Sequence, residues 1–263
     1  MKLKKLFVAA AALAAFLLPA QLGAQTAAAP QARVIVAAPA WQHGAYWAQV
    51  DHRLLVDFAN LARFRQADRQ LGPPAAGQTR VVFMGDSITE GWKLKISFPE
   101  KPYINRGISG QTTPQMLLRF RQDVIALQPK VVLILGGTND LAQNTGPMTA
   151  RATENNLMSM AQLAAANRIR VVLCSVLPSV HYWWHPELPN PAARIVALNR
   201  WIQAYAARQG YVYVNYYTAL ADEAGGLPKK FSRDGVHPSP AGYAVMAPLA
   251  AAGIRQALKR YAP

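Results

Sequence analysis

"VVFMGDSITEGW", residues 81–92, decides how the rest of the chain is read. Four apolar residues run without alternation into Gly85-Asp86-Ser87, and the chain then turns polar. A short, unbroken apolar run reads as a strand covered on both faces, the kind found in parallel sheets. Ser87, just past that strand, is either a nucleophile or a serine in a turn. The familiar nucleophile elbow is G-x-S-x-G. Here Gly85 fills the first glycine position, but Thr89 stands at the second. The elbow pattern fails by one residue, so Ser87 has to be judged by what other stretches bring to it.

Runs of the same kind recur downstream: "VVLIL" (131–135), "VVLCSV" (171–176) and "YVYV" (211–214), with a weaker strand near Tyr103 to Asn105. Helical patterns alternate with them. Thr113-Pro114 opens a helix carrying Leu117, Phe120, Val124 and Leu127, and proline at the first helical position suits a start. Ile195, Leu198, Ile202 and Tyr205 mark another helix, closed by Gly210. Ser239-Pro240 opens the last, in which Pro248 predicts a kink or a break. Residues 45–70 also read as a helix, ending near Leu71-Gly72-Pro73-Pro74. No internal repeat is present. Strand–helix alternation of this kind predicts an α/β fold, a doubly wound, mainly parallel five-stranded sheet between helices. Ligands of such sheets bind beyond the carboxyl ends of the strands.

With 263 residues, 52% of them hydrophobic and 16% charged, the chain can bury one sizeable core. It begins MKLKK, continues LFVAAAALAAFLLPA and reaches QLGAQ. A basic start, an apolar stretch and a small residue before a polar one predict a signal peptide over 1–24, cleaved after Ala24. The apolar run is too short for a comfortable membrane anchor, and no cysteine near the cleavage region suggests a lipoprotein. Export to the periplasm or medium follows. Residues 25–44 form an Ala/Pro-rich leader, and 45–263 a single domain with an N-terminal helix. The one cysteine, Cys174, has no partner in the chain and lies in an apolar strand, where it acts as a small hydrophobe. The formal charge is +15; without residues 1–24, 25 basic residues face 13 acidic ones, for +12. That balance suits contact with anionic envelope surfaces. The basic residues are spread through the chain, the densest set being Arg53, Arg63, Arg65 and Arg69, so nucleic acid is not the expected partner.

The strand ends hold the chemistry. Gly85-Asp86-Ser87 follows the first strand, "NRGISGQTT" with Gly107 and Gly110 the second, and "GGTND" (136–140) the third. Near the C-terminus Asp234 and His237 lie three residues apart in "SRDGVHPSP". Acyl transfer needs a nucleophile, a base and fixed donors for the oxyanion. A serine hydroxyl is a weak nucleophile until a base takes its proton. His237 is of the type to take it, and Asp234 of the type to orient the imidazole and stabilise its charged form. Ser87 N–H, Gly110 N–H and the Asn139 side-chain amide are suitable oxyanion donors. Together these blocks resemble the SGNH hydrolases, or GDSL lipases and esterases, with G-D-S, a glycine in the second block, G-x-N-D and a late D-x-x-H all matched. "INRGISGQTT" and "DGVHPSPAGY" further resemble bacterial members akin to platelet-activating factor acetylhydrolase. That family lacks the G-x-S-x-G elbow. The resemblance implies a serine esterase working through Ser87, His237 and Asp234, with no cofactor and no metal.

Each residue also has a structural reading. Ser87 could cap a short helix beginning near Thr89, and Asn139 could cap another. Asp86 and Asp140 are expected to hydrogen-bond loop backbone rather than take part in chemistry. In "HYWWHPELPNP" (181–191), His181 and His185 have helical i, i+4 spacing, but Pro186, Pro189 and Pro191 disfavour a helix and no third metal ligand is evident. Trp183 and Trp184 read either as an aromatic wall beside the substrate or as cover for the core edge. The expected substrate is an ester of a small acyl group, by resemblance, on a sugar, phospholipid-like or aryl alcohol, either small or polymeric. Two rivals stand beside hydrolysis: acyl transfer to a sugar hydroxyl, and a non-catalytic envelope or carbohydrate-binding protein on the same fold.

Overall fold

A computed structural model describes residue 52 and residues 54–259. The expected signal peptide, the leader and the first part of the expected N-terminal helix lie outside them. The elements follow in the order α1 (Arg65–Leu71), β1 (Val81–Gly85), α2 (Ser87–Glu90), α3 (Leu94–Ser97), β2 (Tyr103–Gly107), α4 (Thr113–Asp123), β3 (Val131–Leu135), α5 (Thr138–Leu141), α6 (Ala150–Ala166), β4 (Arg170–Cys174), α7 (Ala192–Gln209), β5 (Val212–Val214), α8 (Tyr217–Leu220) and α9 (Pro240–Lys259). The five strands form one sheet in the order β2-β1-β3-β4-β5, and every neighbouring pair is parallel. The expected doubly wound α/β sheet is therefore the observed one.

Strand residues alternate between two covered faces, which is why β1 and β3 carry no polar positions. Val81, Phe83, Val131, Leu133, Val172, Val212 and Val214 share a core with Met246, Ala250, Ile254 and Ala257 of α9. On the other positions Val82, Met84, Val132, Ile134, Val171 and Leu173 are equally buried, as are Met116, Phe120, Leu157, Met160, Ile195 and Ile202 from α4, α6 and α7. Helix α4 starts as its sequence suggests: Pro114 lies in its first turn and Gln115 Oε1 accepts from Thr112 N–H at 2.9 Å. Helix α6 supplies the crossover that the parallel pair β3–β4 requires. Helix α7 stops at Gly210, whose φ of 69° is left-handed.

Two expectations need correction. Pro248 lies inside α9, which continues from Pro240 to Lys259, so of the kink or break expected it is the break that does not occur. Buried Met246 on one side of the proline and Ala250 and Ile254 on the other anchor both halves to the same sheet face. The helix expected over 45–70, by contrast, is interrupted: residues 54–56 are helical, residues 57–64 run as turns, and Arg65–Leu71 is helical again. Asp57 carboxylate oxygens accept from Leu61 and Ala62 N–H at 2.8 and 3.1 Å, and Asn60 turns left-handed at φ 54°. The carbonyls of Phe58, Ala59 and Leu61 accept instead from the side-chain amides of Gln115, Gln111 and Gln122, each at 2.7 Å. Tertiary partners on α4 and the loop before it thus take acceptors that a continuing helix would have used.

Register positions the site. Gly85 at the end of β1 is level with Gly107 of β2 and Leu135 of β3. The three loops that follow therefore leave one edge of the sheet side by side.

Candidate active site

The first of these loops is a tight one. Asp86 is the N-cap of α2, and its Oδ1 accepts from Ile88 N–H at 3.0 Å. Ser87 is thus the first helical residue and not its cap, which leaves its hydroxyl free of the helix end. Thr89 fills the space above Gly85: a Cβ on that glycine would stand 2.1 Å from Thr89 Oγ1 and 2.7 Å from Leu135 O. The threonine that spoils the elbow motif occupies the place a side chain at 85 would need. The turn is braced from two sides. Asn105 Nδ2 donates to Thr89 O at 2.6 Å and to Trp92 O at 3.0 Å, while Tyr243 of α9 donates its hydroxyl to Ile88 O at 2.7 Å.

Ser87 Oγ lies 2.9 Å from His237 Nε2, across 150 residues of sequence. His237 Nδ1 lies 2.7 Å from Asp234 Oδ2. Asp234 Oδ1 accepts from Val236 N–H at 3.0 Å, from His237 N–H at 2.8 Å and from Ser232 Oγ at 3.0 Å. Partial burial pushes the Asp234 carboxyl up, but these backbone donors and the His237 ring outweigh it and hold the group at about 2. An ionised carboxylate fixes Nδ1 as the protonated nitrogen and leaves Nε2 as the acceptor facing the Ser87 hydroxyl.

The second and third loops meet beside this chain. Gly110 has φ 77°, a left-handed conformation that glycine adopts without strain. Asn139, in α5, is buried, and its Nδ2 donates to Gln111 O at 3.0 Å. The next residue, Asp140, takes the backbone N–H of Thr113 at 3.0 Å, the Thr113 hydroxyl, and Thr153 Oγ1 at 3.2 Å. Asp86 and Asp140 therefore brace backbone, as the sequence suggests. Burial drives both carboxyls upward; for Asp86, the Ile88 N–H and His237 pull it down, neighbouring Asp140 pushes it up, and it reaches about 7.

Arg119, beneath the site, lies outside every motif, and Asn105 and Tyr243 fall inside the stretches "INRGISGQTT" and "DGVHPSPAGY" without a role that the sequence assigns them. Arg119 is completely buried in α4; its Nη1 pairs with Asp123 Oδ2 at 2.9 Å and its Nη2 donates to Gly85 O at 2.8 Å. Asn105 and Tyr243 clamp the serine turn as described. Only the contacts show what these side chains do.

The 181–191 segment divides. Trp184 is buried, its ring centroid 6.3 Å from that of His237, while Trp183 stacks edge-on against Trp184 and keeps 54% of its surface exposed. His181 and His185 do not share a helix, since the segment runs in turns, and His185 Nδ1 lies 2.9 Å from Glu187 Oε1. Cys174 is buried in β4 with Tyr216 Oη at 3.8 Å, and burial pushes its thiol up to about 12, consistent with an inert hydrophobe.

The model of the GDSL-like Lipase/Acylhydrolase family matches residues 83–245. A GDSL-like lipase from Bacteroides thetaiotaomicron is 44% identical, covering 76% of this chain and 100% of its own, with a TM-score of 0.74. A Bacteroides fragilis protein solved as a candidate acylhydrolase is 41% identical, covering 77% and 99%, with a TM-score of 0.75. The uncharacterized lipoprotein YqeF of Bacillus subtilis is 28% identical over 128 residues, 41% of this chain; the match spans about half of that relative, 53%.

Proposed function

The chain belongs to the GDSL-like lipase/acylhydrolase family, whose members are carboxylic ester hydrolases, and from that premise we propose a serine mechanism that runs through Ser87, His237 and Asp234. The observation that carries it is the unbroken hydrogen-bonded series from Ser87 Oγ through the His237 ring to Asp234. Ser87 Oγ attacks the ester carbonyl as His237 Nε2 takes its proton. The charge then forming on the carbonyl oxygen is met by Ser87 N–H, Gly110 N–H and Asn139 Nδ2, donors set in place before the reaction. Asp234, ionised at neutral pH, stabilises the imidazolium. The alcohol leaves with the proton from His237, and a water activated by the same nitrogen releases the acid and frees Ser87.

The acyl group in this reading is short, with acetyl the first to test, as the family resemblance implies and as the buried Trp184 ring, 6.3 Å from that of His237, supports. Trp183, exposed beside it, is suited to stack on a sugar or aryl alcohol. The place of action is the cell envelope: the start MKLKK and the apolar run after it support export, and the Bacillus subtilis relative is a lipoprotein. A serine-directed phosphonate should label Ser87 alone, and Ser87→Ala should lose at least about a thousandfold in kcat on aryl acetates while its thermal unfolding stays unchanged. Label on another residue, with Ser87→Ala still active, would refute the mechanism.

A further inference from the structure

Asn144 lies outside every motif in the sequence, yet it touches both loops that flank the serine turn. Its place is set by the end of α5. Asn144 N–H donates to Asn139 O at 3.0 Å, and Gln143 N–H to Asp140 O at 3.1 Å, with Gln143 left-handed at φ 58°. That pair of bonds around a left-handed residue is a Schellman ending, and it folds residue 144 back over residue 139. The Asn144 amide is then fully engaged. Its Nδ2 donates to Gly110 O at 3.1 Å and to Asn139 Oδ1 at 2.9 Å, and its Oδ1 accepts from Trp184 Nε1 at 2.8 Å.

The direction of each bond is fixed by chemistry. An indole N–H only donates, so the Asn144 oxygen has to face Trp184 and its nitrogen has to face residues 110 and 139. A backbone carbonyl only accepts, and the Gly110 carbonyl demands the same orientation. Asn139 must then turn its own oxygen toward Asn144. Its nitrogen is left on the other side, where one hydrogen goes to Gln111 O, a carbonyl that imposes the same orientation, and in the proposed mechanism the second meets the oxyanion. Flipped by half a turn, Asn139 would set two amide nitrogens face to face and offer a developing oxyanion an acceptor instead of a donor.

We propose that Asn144, held by the Trp184 indole, is the positioning residue of the oxyanion hole, locking Asn139 in its donating orientation and Gly110 in its left-handed one. This rests on the reading of Asn139 and Gly110 as oxyanion donors. Trp184 thereby acts twice, because the ring that walls His237 also orients, through one hydrogen bond, a donor on the opposite loop.

The experiment is a kinetic cycle on the full chain with an aryl acetate. Asn144→Asp has the same shape and can still accept from Trp184 but loses both donations. It should lose about 10–100-fold in kcat with KM little changed, since an oxyanion donor acts mainly in the transition state. Asn144→Ala should fall similarly. In an Asn139→Ala background it should cost no further activity, because the group it positions is gone. A purely structural brace would instead lower thermal stability and multiply with Asn139→Ala. Should both Asn144 variants unfold, Trp184→Phe, which keeps an aromatic ring but removes the indole N–H together with part of the ring, should lower kcat severalfold without moving KM. A wild type that turns over while Asn144→Asp keeps its kcat, or an Asn144→Ala loss that multiplies fully with Asn139→Ala, overturns the role of Asn144 alone. A wild type that neither turns over nor takes the phosphonate overturns the hydrolase mechanism and this role with it.

Discussion

His237 and Asp234 keep 36% and 34% of their side-chain surface open to solvent, whereas Asn139, Asp140, Arg119 and Asp123, which support the other side of the site, are buried. The open side is joined by two hydrogen bonds, and in the proposed mechanism its groups exchange protons with substrate and water. The closed side is a continuous polar network from Asp123 through Arg119 to Gly85, and from Asp140 to the start of α4. Proton transfer needs access, and oxyanion stabilisation needs donors that do not reorganise. Buried networks of that kind stabilise when every member is satisfied and cost heavily when one is removed. The two sides should therefore respond differently to substitution, one through chemistry and the other through stability first.

The largest effect should come from breaking the closed side at its base. Arg119→Ala would leave Asp123 uncompensated in a site with no solvent exposure and would free the Gly85 carbonyl. Removing one partner of a buried pair costs about 3–5 kcal/mol, so urea unfolding should show a loss of that size. Any fall in activity should follow the unfolded fraction. A variant within about 1 kcal/mol of the wild type would mean that the pair behaves as an exposed one, and the contrast between the two sides would fail.

Asn139 belongs to the buried side, yet in the proposed mechanism it faces the reacting carbonyl, so its substitution sharpens the comparison. Removing one oxyanion donor costs on the order of a hundred- to a thousandfold in kcat, about 2.7–4 kcal/mol. Asn139→Ala should show that loss with KM almost unchanged and Ser87 still open to labelling. Asn139→Asp should be at least as harmful, because a carboxylate offers no donor and repels the developing charge. A stable Asn139→Ala enzyme with near-normal kcat would remove Asn139 from the mechanism.

Legibility in the sequence follows the same division. The strands β1 and β3 are readable because burial on both faces leaves only apolar residues, the Ser87 and Asn139 blocks because they stand at strand ends, and the Asp234/His237 block, in the loop before α9, because it completes a recognisable order. The buried braces are not readable. Arg119 sits on a helix whose apolar spacing is what the sequence displays, and nothing in "LLRFRQD" says that its first arginine points inward. Asn144 owes its position to a left-handed Gln143, a conformation more often signalled by glycine. The turns at 57–64 replace an expected helix because glutamines from α4 and the loop before it claim the backbone carbonyls, and such long-range partners leave no periodic trace. Local pattern reports which residues are covered by apolar surface; it does not report which polar residues are paired beneath it.

The smallest effect concerns Asp86, which belongs to both sides: it caps the serine turn, and it is fully buried with Oδ2 lacking a hydrogen-bond partner among the described residues. Burial raises its carboxyl to about 7 in the folded chain, against about 3.9 in an unfolded one. The folded state therefore binds the extra proton between those values. By linkage, stability is fully retained below the unfolded value and falls as pH rises through the folded one. Between pH 5 and 7 the loss from this group is about 2 kcal/mol. Asp86→Asn keeps an oxygen to accept from Ile88 N–H and stays neutral at both pH values, so it should lack this slope. Urea unfolding of wild type and variant at pH 5 and pH 7 isolates the group, because other titrations common to both chains cancel in the difference. The variant should gain on the wild type as pH rises. If the difference is the same at both pH values, Asp86 is ionised throughout, and the serine turn sits in a more polar setting than its burial implies.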